Sequence, residues 1–152
     1  MNLIRKTIRK IILESKANWV KEWTQELSKK FNVKIETPRD NNIGFELTQK
    51  FPVGCSVLIF IIMDYSGVDD QIYMAELATK GKDCFNKGYA RKAFVDFLSV
   101  SDRFNLEVHL TAASEDEKRF PNRELVKFYE SLGFFPGGNP NKGFVEMFRP
   151  SN

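Results

Sequence analysis

Residues 84–98, C-F-N-K-G-Y-A-R-K-A-F-V-D-F-L, constrain this chain more than any other stretch, because a short loop holding one glycine runs straight into an amphipathic helix. Ala90, Ala93, Phe94, Phe97 and Leu98 recur at three- and four-residue spacing, which buries one helical face and aims the helix start at the loop. A helix start offers unpaired backbone N–H groups and the positive end of a dipole, and glycine lets the backbone approach a ligand. The stretch therefore suits an anion site. It also suits a plain connector from strand to helix.

The flanking sequence supplies the context. Residues 2–30 lack proline and glycine, and Ile4, Ile8, Ile11, Ile12, Trp19, Trp23 and Leu27 keep a helical stripe, read as one long helix or two helices broken near Asn18. Residues 33–37 and 43–48 are short strands around a turn at Pro38 to Asn42, and residues 56–65 form a nearly continuous apolar run that fits a strand buried on both faces. A turn at 66–70 precedes a strand over 71–79, which completes an antiparallel meander of three or four strands and leads into the glycine loop. The helix from Gly88 ends near 102–105, and Leu106, Val108 and Leu110 then alternate. Strand, helix, strand implies a right-handed crossover and parallel pairing, so the second half is α/β. After a polar loop at 114–119, Pro121-Asn122 opens a helix through Leu132 with Leu125, Phe128, Tyr129 and Leu132 on its apolar side; Gly133 stops it. Phe134-Phe135, a turn over 136–143 and residues 144–149 make a closing hairpin.

At 152 residues the chain is expected to form one domain with a core rich in its fourteen phenylalanines. A formal charge of +3 suits a polyanionic small ligand or an acidic partner, and falls short of a nucleic-acid signature. Cys55 and Cys84 show neither metal-ligand spacing nor a disulfide framework, so a reducing, cytoplasmic compartment is the expectation. Cys84 is read as a small loop residue or a reactive thiol. The longest uninterrupted apolar run, 57–63, is too short to span a membrane, and the early Arg5, Lys6, Arg9 and Lys10 interleave with isoleucines in a way unlike a signal peptide.

Two motifs fall at particular joints of this order. Asn122-Arg-Glu-Leu-Val-Lys-Phe-Tyr129-Glu-Ser-Leu-Gly133-Phe134 resembles the N-x-x-A-x-x-x-Y-x-x-x-G-F helix of the GNAT superfamily of acetyl-CoA-dependent N-acetyltransferases, and Phe85-Asn86-Lys87-Gly88-Tyr89-Ala90 resembles that family's pyrophosphate loop, Gln/Arg-x-x-Gly-x-Gly/Ala. The joint match covers about residues 56–149. It departs from the family at Phe85, where Gln or Arg is usual, in a link at 80–84 about one residue longer, and in beginning with helices where the family begins with a strand.

The resemblance implies a GNAT-like α/β (α+β) fold: a mixed, mostly antiparallel central sheet flanked by helices, with the fourth and fifth strands splayed at the acetyl-CoA site. It implies acetyl-CoA as cosubstrate, its pantetheine pairing with backbone at Leu77, Ala78 and Thr79 and a backbone N–H near Leu77 polarising the thioester carbonyl. The pyrophosphate would lie on Phe85, Asn86, Lys87, Gly88, Tyr89 and Ala90, with Lys87, Arg91 and Lys92 supplying positive charge. Asn122 would bind the pantetheine amide or cap its helix, with Phe128 beside it. Tyr129 would protonate the departing thiolate, since a phenol's ordinary pKa near 10 is similar to that of an alkyl thiol.

The general base is read from the residues themselves. Glu76 alternates with apolar Met74 and Ala78, so partial burial would raise its pKa toward that of a working base; a surface glutamate is the bland alternative. His109, the single histidine, is structural or lies near the acceptor cleft. No cluster has metal-ligand spacing, and no nucleophile elbow or P-loop is present. The acceptor, a protein lysine or N-terminus or a small amine, would be lined by Trp19, Trp23 and residues 114–120. Monomer and homodimer both stay open. The competing reading is a GNAT-fold coenzyme A-binding or protein-interaction module with impaired catalysis, motivated by Phe85 and the base assignment.

Overall fold

The computed structural model describes residues 19–36, 42–64, 71–113, 122–137 and 144–151. The first expected helix, the turns at 38–41 and 66–70, the polar loop at 114–120 and most of the hairpin turn lie outside the described residues.

Within them, the elements run α1 (Trp19–Ser28), β1 (Asn32–Ile35), β2 (Asn42–Lys50), a short 3-10 turn (Pro52–Gly54), β3 (Ser56–Asp64), β4 (Gln71–Lys80), α2 (Tyr89–Arg103), β5 (Glu107–Ala112), α3 (Asn122–Glu130), β6 (Phe135–Pro136) and β7 (Val145–Arg149). The strands form one sheet of order β1-β2-β3-β4-β5-β7-β6, antiparallel throughout except for the β4–β5 pair. The meander, the crossover through α2 and the closing hairpin all take the places that period and turn chemistry assign them. The strand expected at 33–37 runs over Asn32–Ile35 and forms one edge of the sheet.

The sheet has one dry face. In antiparallel register Phe45 opposes Ile61, Leu47 opposes Ile59 and Met147 opposes Leu110, and all six are essentially buried. Directly opposed side chains share a face, so these residues form one surface under the three helices. Trp23 of α1 meets Phe45 edge-on at 5.2 Å and Phe97 of α2 at 6.5 Å, and Phe94 of α2 meets Tyr129 of α3 at 5.9 Å. The phenylalanines thus act as the joints between helix and sheet. Trp23 is fully buried with its indole N–H toward Ser101 Oγ at 3.4 Å, so it belongs to the core and lines no acceptor site.

The run over 56–65 is not buried on both faces. Val57, Ile59, Ile61 and Met63 are buried, whereas Leu58, Phe60 and Ile62 on the opposite face are only half covered. Continuous apolar sequence signals two dry faces only when layers cover both, and here the described helices all pack on one. Among the described residues no helix is long and apolar enough to cross a membrane.

Candidate functional site

The site is built around an interruption in β4. Its first part, Gln71 to Met74, pairs in parallel with Glu107 to Leu110 of β5, and Tyr73 and Met74 also pair with β3. Beyond Met74 the two strands part. β5 continues along β7 through Ala112, and β4 continues along β3 to Lys80, so among the described residues the β5-facing edge of residues 75–80 has no partner strand. Backbone donors and acceptors along such an edge are available to an extended ligand. Leu77, Ala78 and Thr79 lie on that stretch and are half-buried.

A β-bulge sits where the strands part. Phe60 opposes Glu76 but Ile61 opposes Met74, leaving Ala75 as the extra residue. One inserted residue reverses the alternation beyond it. Leu77 and Thr79, opposite Ile59 and Val57, therefore continue the helix-covered face, and Glu76 and Ala78 turn to the other. This corrects the reading of Glu76, which does not alternate with Met74: the bulge puts the two on opposite faces, and Glu76 is exposed instead of partly buried.

At the end of β4 the glycine loop has the backbone that its sequence suggests. Gly88 is the N-cap of α2 in the left-handed region, φ 79°, and a Cβ built there would meet nothing within 4 Å. Positive φ at Gly81, Asp83 and Asn86 curls the preceding residues. Phe85, Asn86 and Lys87 are exposed, while Tyr89 is half-buried and stacks on Phe51 at 4.5 Å, tying the helix start to the β2–β3 connector. Ala90 is half-buried behind it.

The cations do not stand as the sequence suggests. Arg91 donates to Ser131 Oγ at 2.9 Å and lies 5.2 Å over the Phe128 ring, and Lys92 Nζ sits 5.6 Å over Phe51. Both are engaged in joining elements. Lys87 remains at the loop, and Lys82, which sequence reading passed over, joins it along an open groove of about 390 Å³.

The largest departure is covalent. Cys55 and Cys84 form a disulfide, with Cα atoms 5.6 Å apart. Both are buried, so Cys84 is not a reactive loop thiol, and the cysteines give no argument for a reducing compartment. The register explains the pairing. Ser56 opposes Lys80, which brings Cys55 beside Gly81, where a Cβ would lie 2.6 Å from Cys84 Sγ and 2.8 Å from the Gly54 carbonyl oxygen. A side chain at 81 would displace the bridge.

From the helix side, α3 presents Tyr129. Its side chain is buried among Phe94, Phe128 and Phe134, with ring centroids 5.2–5.9 Å away, and desolvation pushes the phenol pKa well above its ordinary value. The hydroxyl therefore stays protonated across the physiological range. The turn after α3 is pinned by Arg149, which donates from Nε to the Leu132 carbonyl at 2.9 Å and grips Asp102 at 2.6 and 2.9 Å. Gly133, at φ 95°, keeps room for that guanidinium. Asn122 opens α3, half-buried, and Phe128 is half-buried against Tyr129. On the opposite sheet face His109 pairs with Glu107 at 2.7 Å and stacks on Phe148, while Tyr73 and Thr111 share a hydrogen bond of 3.0 Å. Among the described residues no group of His, Cys, Asp and Glu could hold a metal.

No protein-family model matches the sequence, and no curated protein matches it. Solved structures do. A protein assigned as an N-acetyltransferase from Lactobacillus plantarum superposes with a TM-score of 0.50 at 13% identity, over 75% of this chain and 72% of the other. The ribosomal-protein-S18-alanine N-acetyltransferase of Escherichia coli reaches 0.48 at 16% identity over 76% and 72%, and a Bacillus subtilis acetyltransferase in complex with CoA reaches 0.49 at 7% over 80% and 99%. At these identities the likeness is one of fold.

Proposed function

From the premise that the chain has a GNAT-like fold, we propose that it is a single acyltransferase domain that moves the acetyl group of acetyl-CoA directly to a primary amine. The observation that carries the reading is the parting of β4 from β5 after Met74, with Gly88 in the loop that follows the open edge. The cosubstrate supplies an activated thioester. The open backbone of Leu77, Ala78 and Thr79 holds its pantetheine as an added strand, and a backbone N–H near Leu77 polarises the carbonyl. Residues 85–90 receive the pyrophosphate on backbone donors and Lys87, with Arg91 holding the α2–α3 joint; Asn122 and Phe128 border the pantetheine from α3.

The bulge divides the labour between faces. Glu76 reaches the gap from the face away from the helices, where an amine can arrive, and takes the amine's proton directly or through water. The amine nitrogen bonds to the carbonyl carbon, the carbon–sulfur bond breaks, and the proton of the Tyr129 hydroxyl passes to the sulfur. Tyr129 is protonated at every working pH, and burial raises its pKa above the thiol-like value expected from the sequence. The acceptor is a protein lysine or N-terminus or a small amine.

Steady-state kinetics on a panel of amines and basic peptides, read by mass spectrometry with labelled acetyl-CoA, tests this. Tyr129→Phe is expected to lower kcat about a hundredfold or more with KM for acetyl-CoA nearly unchanged. Equal loss in both removes the acid role. Tight acetyl-CoA binding with no transfer to any acceptor instead favours the coenzyme A-binding module, the reading to which Phe85, 44% exposed at a position where the family has a polar side chain, points.

A further inference from the structure

Among the described residues Arg149, at the end of β7, is the one charged side chain in the core, 7% exposed. Its guanidinium reaches two other elements. Nη1 and Nη2 donate to the two carboxylate oxygens of Asp102, near the end of α2, and Nε donates to the Leu132 carbonyl in the turn that follows α3. A largely buried ion pair gives little net stability, because desolvating both charges offsets most of their attraction, and apolar residues of similar volume do as well. What the planar fork supplies is geometry. Two parallel bonds to one carboxylate fix its plane, which leaves the third donor a single direction. The turn makes room for it, since a Cβ at Gly133 would lie 3.3 Å from Arg149 Nε.

We propose that Arg149 is a positioning residue for acetyl transfer, which through Leu132 fixes where the Tyr129 hydroxyl stands. The inference rests on the acid role given to Tyr129 above and adds the part of the chain that holds the acid in place. Leu132 joins the two residues. Its carbonyl accepts from Arg149 Nε while its N–H donates to the Tyr129 carbonyl at 2.9 Å, and the Phe134 N–H donates to that same carbonyl at 3.2 Å. Of the rings around Tyr129, Phe128 and Phe134 belong to the same helix end and its turn and move with it. Contacts that leave the turn set its place against the rest of the molecule, and they include Phe94 of α2, the bond from Arg91 to Ser131 and the Arg149 fork. Arg91 is exposed, whereas Arg149 is shielded from water, where hydrogen bonds are electrostatically stronger. Proton transfer needs the hydroxyl within hydrogen-bond reach of the sulfur, so a shift of about 1 Å in this turn is enough to slow the step.

Paired replacement of the fork, Arg149→Met with Asp102→Leu, tests the assignment, since removing both charges leaves neither buried alone. The melting temperature, expected to change little, marks the variant as folded. Its kcat for acetyl transfer should fall about tenfold or more, with KM for acetyl-CoA unchanged. In a Tyr129→Phe background the same replacement should cause no further loss, because the group it positions is gone. Arg149→Lys keeps the charge and loses the fork, so it should show the same split to a smaller degree, and it carries the test if the paired replacement does not fold. An unchanged kcat, a loss confined to KM, or an equal loss with and without the Tyr129 hydroxyl overturns the proposal while the acid role stands. Tyr129→Phe with the kcat of the wild type overturns the acid role itself, and the positioning role with it.

Discussion

The two halves of β4 share one strand and have opposite physical character. Gln71 to Met74 is paired with β5, Tyr73 and Met74 are paired with β3 as well, and Ile72 and Met74 are buried in the core. Residues 75–80 are bonded on one side, half-covered or exposed, and anchored at the far end by a disulfide. The first half spends its backbone bonds on the fold, whereas the second keeps them for something else. The bulge at Ala75 falls where the match to β5 ends, and it re-aims the side chains that follow.

Substitutions should separate the halves. The largest effect on stability is expected in the closed half, where Ile72→Ala removes a buried side chain between β3 and β5 and costs about 4 kcal/mol. Chemical denaturation would show it, with coenzyme A affinity unchanged in the folded fraction. Removing the anchor of the open half comes next. Replacing both Cys55 and Cys84 by Ala releases a bridge spanning 29 residues of sequence and should lower stability by about 3–4 kcal/mol, with weaker acetyl-CoA binding because the loop and connector lose their fixed spacing. Deleting Ala75 regularises the ladder, since Phe60–Glu76 and Ile61–Met74 then follow without a step. It should leave stability nearly intact yet lower acetyl transfer about a hundredfold, or about 3 kcal/mol in barrier; activity that survives would uncouple the bulge from the gap.

The smallest effect concerns pH. Tyr129 has its pKa raised by burial, so the folded chain holds a proton that the unfolded chain releases above about pH 10. Its contribution is fully present below that pH and declines above it by about 1.4 kcal/mol per pH unit. Alkaline melting curves of wild type and Tyr129→Phe should diverge only above pH 10.

Much of the fold was readable because long segments carry clean periods. The stripe from Ala93 to Leu98, the alternation of Val108 and Leu110 and the turn residues between them gave strands, helices and the parallel crossover. Gly88 and Tyr129 were readable through motifs whose spacing maps onto a loop and a helix. The features that escaped are those in which one residue changes the geometry of its neighbours. Ala75 carries no glycine or proline to mark a bulge, so strict alternation misplaced Glu76. The disulfide depends on the register of β3 with β4, which neither cysteine's own surroundings encode. Trp23 shows the reverse: an aromatic that could line a cleft is taken by Phe45, Phe97 and Ser101 into the core.

The open half of β4 is proposed to receive the cosubstrate as an added strand. Hydrogen–deuterium exchange resolved to single amides, with and without saturating acetyl-CoA, tests it directly. Amides of residues 75–80 that point away from β3 should exchange freely in the ligand-free protein and become strongly protected on binding, while those of 71–74 stay protected throughout. Protection confined to the glycine loop, with the β4 edge unchanged in the bound protein, would contradict the account.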